Sequence, residues 1–148
     1  MHWSDKLALI VITAWVGALW AIGALAAPSL FHTLGDRQLA GMLAGKMFTL
    51  VTYVGLVSAF YLLIHRLGRY GTAALQQGFF WAVLVMLLLV LAGHFGVQPV
   101  LASLKAQALP ADVMHSVFAD RFNTWHGIAS IAYLIESLLG FVLVFKAR

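Results

Sequence analysis

The residues best able to do chemistry in this sequence are histidines that border long apolar stretches. His32 follows the first stretch, His94 lies near the end of the third, and His126 opens the fourth. If successive stretches cross a membrane in opposite directions, these three side chains lie at the same end of the molecule. Imidazole binds copper, zinc and haem iron. The pattern predicts a haem b or copper site at this end, with His94 and His126 as metal ligands and His32 as a further binding residue.

A simpler interpretation is that these histidines are polar residues at the ends of membrane helices. It suits His32 best, because that residue lies beyond the apolar stretch. His94 differs, because it interrupts an apolar helix at membrane depth, where a polar side chain needs a partner. A shared site is therefore expected mainly from His94 and from His126 at the corresponding depth.

A second candidate is a polar stripe on the fourth stretch. His126, Ser130, Tyr133 and Ser137 recur at helical spacing, and Glu136 beside them is the only acidic residue within an apolar stretch. This polar face, with Ser130, Tyr133 and Glu136, is predicted to point into the bundle interior. An ionised carboxylate at the membrane centre costs about 3 kcal/mol, so Glu136 should face the bundle interior and be protonated or paired. The stripe predicts either a path for protons or a small solute, or hydrogen bonds that only hold helices together.

The elements that position these residues are four uncharged or nearly uncharged stretches. About 20 helical residues, at ~1.5 Å each, cross a hydrocarbon core of about 30 Å. The four stretches are residues 7–27, 46–64, 78–98 and 125–145. We predict an all-α integral membrane protein: a single domain, residues 1–148, forming an antiparallel bundle of four transmembrane helices with short interfacial helices in the outer loops.

The boundaries of the helices are less clear than their number. Asp36 is a suitable N-cap for a helix beginning at Arg37, which either lies on the membrane surface or continues into the second span. Pro99 is expected to close the third helix. Residues 100–124 mix apolar and charged positions, which predicts short amphipathic pieces on the membrane surface.

Composition excludes several classes of protein. The chain of 148 residues is 63% hydrophobic and 9% charged, so a soluble fold could not bury its apolar surface. The absence of cysteine excludes disulfides and thiolate metal sites. The net charge of +4 comes from singly scattered lysines and arginines, which does not indicate nucleic-acid binding. The expected surroundings are the lipid bilayer, with a second copy of the chain or another membrane protein as partner.

The distribution of lysine and arginine predicts the orientation. Five of the nine lie on the side that carries both termini, in short segments close to the helix ends, and four lie on the other side. Under the positive-inside rule both termini then lie in the cytoplasm, as in a bacterial inner-membrane protein.

Short motifs along the chain resemble a known family. They are Trp15-Val16-Gly17, Ala27-Pro28-x-x-Phe31, Ala40-Gly41 before Phe48, Pro99, and Phe122-x-x-x-His126-Gly127-x-x-Ser130. Together they resemble the transmembrane-protein-205-like domain family, a domain of unknown function, and the resemblance implies a four-helix membrane bundle. The first two motifs are more distantly similar to copper-resistance membrane domains and to membrane haem-binding protoporphyrinogen oxidases. Those oxidases carry a histidine early in the first span, and residues 6–13 contain none here.

Three functions therefore compete. The first is haem or copper binding and handling at the outer end of the bundle. The second is a proton-coupled transporter subunit that uses Glu136, Tyr133 and the polar stripe. The third is a structural or assembly partner without a cofactor. An enzyme is the least expected, because no nucleophile and base, phosphate loop or zinc-protease motif occurs in the sequence.

Overall fold

The computed structural model describes all 148 residues, and helices make up nearly the whole chain. Six α-helices occur in the order α1 (Trp3–Ala21), α2 (Ala27–Thr33), α3 (Arg37–Tyr70), α4 (Gly78–Ala92), α5 (Gln98–Ala108) and α6 (Ala119–Phe145). Two π-helical turns, Ile22–Ala26 and Gly93–Val97, join α1 to α2 and α4 to α5 without a break. Two short 3-10 helices, Gly71–Gln76 and Val113–His115, lie in the remaining connections.

Four continuous helical segments are long and apolar enough to cross a membrane. They are Trp3–Thr33, Arg37–Gln76, Gly78–Ala108 and Ala119–Phe145. The second span packs against the first and third, and the fourth packs against the same two, so the four spans form a closed ring. This confirms the predicted all-α bundle of four membrane helices.

The start of α3 shows how a cap and a membrane span combine. The Asp36 side chain accepts hydrogen bonds from the backbone N–H groups of Gln38 and Leu39, at 2.9 and 3.2 Å. From there α3 runs without interruption to Tyr70, and Gly71 ends it with a φ of 56°. Of the two alternatives for this segment, the single long helix is therefore the correct one.

The expectation that Pro99 closes the third helix is wrong. The helical segment passes through Pro99 and ends only at Ala108, and the first span likewise passes through Pro28 to Thr33. A proline removes one backbone N–H and its ring collides with the carbonyl four residues earlier. A π-helical turn precedes each proline, and its wider backbone accommodates the ring. The first and third spans share this design over 31 residues each.

The bundle has an apolar interior and an apolar exterior. Trp15, Leu19, Leu62, Met86 and Leu143 are among the largest fully buried side chains. Large apolar side chains also cover the outside of the spans, and Val57, for example, is 73% exposed. A soluble protein would not expose so much apolar surface, whereas lipid solvates it. The protein is therefore an integral membrane protein whose outer surface contacts lipid.

Candidate functional site within the bundle

Tyr133 hydrogen-bonds the fourth span to the first. Its hydroxyl donates a hydrogen bond of 2.5 Å to the backbone carbonyl of Leu19, and its ring meets the Phe48 ring edge-on at 5.1 Å. Leu19 lies just before the π-helical turn Ile22–Ala26, where the regular α-helical hydrogen-bond pattern is interrupted. The Tyr133 hydroxyl therefore binds the first span at the place where its backbone is irregular, a recognised cause of local helix distortion.

Gly23 makes the approach of Tyr133 possible. A Cβ atom at Gly23 would overlap the Tyr133 ring at its Cε1 atom. The absence of a side chain is therefore a steric requirement of this contact, and Gly23 belongs to the same structural unit as Tyr133.

A second hydrogen bond joins the same two spans one turn further along α6. The indole N–H of Trp20 donates a hydrogen bond of 2.9 Å to the Ser137 carbonyl. Gly140 gives Trp20 and Val16 room to pack against α6, because a Cβ there would lie 3.0 Å from Val16 and 3.5 Å from the Trp20 nitrogen. Tyr133 and the Ser137 backbone thus have structural partners.

Glu136, between these two contacts in sequence, has no such partner. The residue is 7% exposed, and its Oε1 atom is enclosed without any hydrogen bond. Trp15 is fully buried, and its indole nitrogen is the other enclosed side-chain polar atom without a partner. Buried polar groups are normally hydrogen-bonded, so an unpartnered one calls for an explanation. A carboxyl group in this position can carry a proton and release it without first breaking an interhelical hydrogen bond.

Ser130 is predicted to share the polar interior with Glu136 and Tyr133, but the structure places it apart from them. It is exposed, and its hydroxyl donates a hydrogen bond of 2.8 Å to the His126 carbonyl in its own helix. Between Ser130 and Ser137 the stripe therefore consists of one exposed residue, two interhelical contacts and one buried carboxyl group.

The predicted ligand histidines have separate surroundings. His94 is half-buried in the second π-helical turn, and its ring meets those of Tyr53 and Phe95 at 5.7 and 4.9 Å between centroids. His126 is exposed and stacks on Phe122 at 5.6 Å. The turn that carries His94 packs against α6, which carries His126, so the two residues belong to neighbouring elements at one end of the bundle.

His32 lies in the last turn of α2 and is exposed. No group of three or more His, Asp or Glu side chains in the chain could hold a metal ion. The three histidines therefore do not form a common set of three metal ligands.

A polar cluster that was not predicted from the sequence lies at the end of the bundle that carries the termini. Asp5 pairs with His65 at 3.1 Å and with Arg69 at 3.4 Å, and Arg66 beside them is buried. The available signal was the predicted topology, which placed all four residues at the end that carries the termini. No local pattern around Arg66 indicates that its side chain turns inward.

These features define the class of the protein: a four-span membrane bundle with one unpartnered carboxyl group in its interior. A family model described as a domain of unknown function (DUF4149) matches residues 10–110. The chain belongs to this family. No curated protein and no solved structure matches it. The comparisons return neither of the two resemblances, to transmembrane-protein-205-like and copper-resistance domains, and family membership implies no particular activity.

Proposed function

We propose that the protein moves protons through the bundle and that Glu136 is the group that takes them up and releases them. The observation that carries the proposal is the enclosed Oε1 atom of Glu136, which lies in the interior of a membrane bundle without a hydrogen-bond partner. An ionisable side chain within the membrane is costly, and such groups commonly mark proton or ion pathways.

The neighbours of Glu136 support this interpretation over a purely structural one. Tyr133 and Trp20 already join the first and fourth spans through backbone carbonyls. A carboxyl group placed only to hold helices together would be expected to make a similar bond. Glu136 makes no such bond through Oε1. Its unused hydrogen-bonding capacity fits a group that exchanges a proton.

The irregular backbone of the first span also supports the proposal. The π-helical turn Ile22–Ala26 lies against Tyr133. On α6, Tyr133 precedes Glu136 by about one helical turn. Such turns are frequent at functional sites, because they leave backbone groups less tightly paired than a regular α-helix does.

Proton flux into liposomes tests the proposal. Purified protein is reconstituted into vesicles that contain a pH-sensitive dye, and a potassium gradient with valinomycin sets the membrane potential. We expect wild-type protein to acidify the lumen when the lumen is negative, and we expect Glu136→Gln to reduce the flux to the level of empty vesicles. Ser130→Ala is the matched control, since Ser130 lies on the same helix but is exposed, and it should retain full flux.

Two results would contradict the proposal. One is wild-type flux no greater than that of empty vesicles. The other is equal flux in wild type and Glu136→Gln. If Glu136→Gln instead unfolds in detergent while wild type carries no flux, the structural function is favoured.

Haem or copper binding by His94 and His126 is the second candidate. What favours it is the packing of the His94 turn against the helix that carries His126, with aromatic rings beside both imidazoles. Haem iron needs only two axial protein ligands, whereas copper sites commonly use three or more. Of the two cofactors the pair therefore suits haem better. A Soret band in purified protein that is lost in both His94→Ala and His126→Ala would support it.

The direction of proton movement in a cell depends on orientation. We propose that the end with both termini faces the cytoplasm, because five of the nine lysines and arginines lie there. Labelling of a single cysteine introduced at either end tests this in intact cells, since the natural chain has none.

A further inference from the structure

A cavity of about 250 Å³ opens at the end of the bundle that carries the termini. Asp5, His65, Arg66 and Arg69 contribute its polar walls, and Ile12 and Leu62 are among its apolar ones. This cavity is distinct from the interior position of Glu136 and from the predicted ligand histidines. Its walls contain more basic than acidic side chains.

Arg66 is the most unusual residue of this cavity. It is 6% exposed, and its guanidinium lies over the Phe79 ring at 3.9 Å from the centroid. The guanidinium donates hydrogen bonds to the Gln77 side chain at 3.0 Å and to the carbonyls of Lys146 and Ala147 at 3.0 and 3.2 Å. All of these acceptors are uncharged.

No carboxylate forms a direct ion pair with Arg66. Both ion pairs of the structure are made by Asp5, and they join it to His65 and Arg69. A buried charge is normally paired, because removal from water is costly unless an opposite charge compensates for it. A guanidinium has five N–H groups, and the three hydrogen bonds of Arg66 leave two available.

We infer that this cavity binds a phosphate-bearing anion, with Arg66 and Arg69 as its ligands. Planar guanidinium groups form paired, charge-assisted hydrogen bonds to phosphate oxygens. An anion bound beside Arg66 supplies a directly paired negative charge, while the Phe79 ring lies against the guanidinium. The phosphate has two sources compatible with this position, the headgroup of an acidic lipid and free inorganic phosphate.

Asp5 sets the strength of binding. Its carboxylate attracts Arg69 and His65 and at the same time repels an entering anion. Removal of this negative charge should therefore tighten binding, whereas removal of the Arg69 charge should weaken it. This opposition of sign distinguishes a specific anion site from nonspecific effects of substitution.

The test measures phosphate binding to the full chain purified in an uncharged detergent. Thermal stability is followed in sodium phosphate and in sodium chloride at equal ionic strength, and native mass spectrometry detects retained phosphatidylglycerol. We expect saturable stabilisation by phosphate or a retained phosphatidylglycerol molecule. Arg69→Gln should weaken the binding about tenfold, as loss of one charge-assisted hydrogen bond does. Asp5→Asn should strengthen it.

Arg37→Gln is the matched control, because Arg37 is an exposed arginine at the other end of the bundle and should not affect binding. Retention of lipid without a response to phosphate identifies the lipid headgroup as the ligand, and displacement of the lipid by phosphate identifies one site for both. The inference is overturned if wild-type protein binds neither, or if Arg69→Gln and Arg37→Gln bind equally well. Arg69→Gln leaves the hydrogen bonds of Arg66 in place, so the test does not depend on a variant that disrupts them.

Discussion

Substitution of Gly23 by alanine should loosen the contact between the first and fourth spans. The added Cβ would overlap the Tyr133 ring, so the ring must move and its hydroxyl must leave the Leu19 carbonyl. Loss of an interhelical hydrogen bond in a membrane costs about 0.6 to 2 kcal/mol, and overpacking costs about 1 to 3 kcal/mol. The higher helix propensity of alanine offsets about 0.5 to 1 kcal/mol of this loss. We expect the free energy of unfolding to fall by about 2 kcal/mol.

The assay is reversible unfolding in mixed micelles with increasing sodium dodecyl sulfate, followed by tryptophan fluorescence and circular dichroism. Gly17→Ala is the matched control, because a Cβ at Gly17, in the same membrane span, meets nothing within 4 Å. It should leave stability unchanged or raise it slightly. In a chain that also carries Tyr133→Ala, the cost of Gly23→Ala should largely vanish, because the colliding ring is gone.

Two outcomes would refute this reasoning. In the first, Gly23→Ala is as harmless as Gly17→Ala, which would mean that Tyr133 does not lie against Gly23. In the second, Gly23→Ala costs the same with and without the Tyr133 ring, which would place the cause elsewhere in the first span.

Three further predictions concern stability in the same assay. Glu136→Met removes an unpartnered buried polar group, so it should raise the free energy of unfolding by about 1 kcal/mol and abolish proton flux. A loss of stability in this variant would indicate a structural role for Glu136. Gly55→Ala should lower the free energy of unfolding by about 1 to 3 kcal/mol, since the added Cβ would lie 2.9 Å from the buried Trp15 nitrogen. Gly68→Ala is its control and should leave stability unchanged, because a Cβ at Gly68 meets nothing within 4 Å. Asp36→Ala should cost about 1 kcal/mol through loss of the helix cap, and equal stability would contradict that role.

Local sequence signals predicted the spans well because they depend on short stretches of chain. An apolar stretch of about 20 residues indicates a membrane helix wherever it occurs. Asp36 likewise acts on N–H groups only two and three residues away. The end of the third helix could not be predicted in this way. The tolerance of Pro99 depends on the π-helical turn Gly93–Val97, a backbone irregularity that neighbouring spans must accommodate.

The candidate sites depended on contacts between distant parts of the chain. Sequence could assign His94 and His126 a similar depth, but the directions of their rings depend on packing with Tyr53, Phe95 and Phe122. Arg66 illustrates the same limit, since its carbonyl partners lie about 80 residues later in the chain. Glu136 was predictable because the cost of a carboxylate in hydrocarbon dictates that it face inward, whatever its neighbours are.

The protonation of Glu136 is the most direct test of the account. Infrared spectroscopy of reconstituted protein near neutral pH should show the carbonyl band of one protonated carboxyl group, which Glu136→Gln removes. The band should shift within minutes of transfer to D₂O, because a proton-carrying group must exchange with water. A wild-type spectrum without any carboxyl band that Glu136→Gln removes, or a band that never shifts in D₂O, would contradict the claim that Glu136 moves protons.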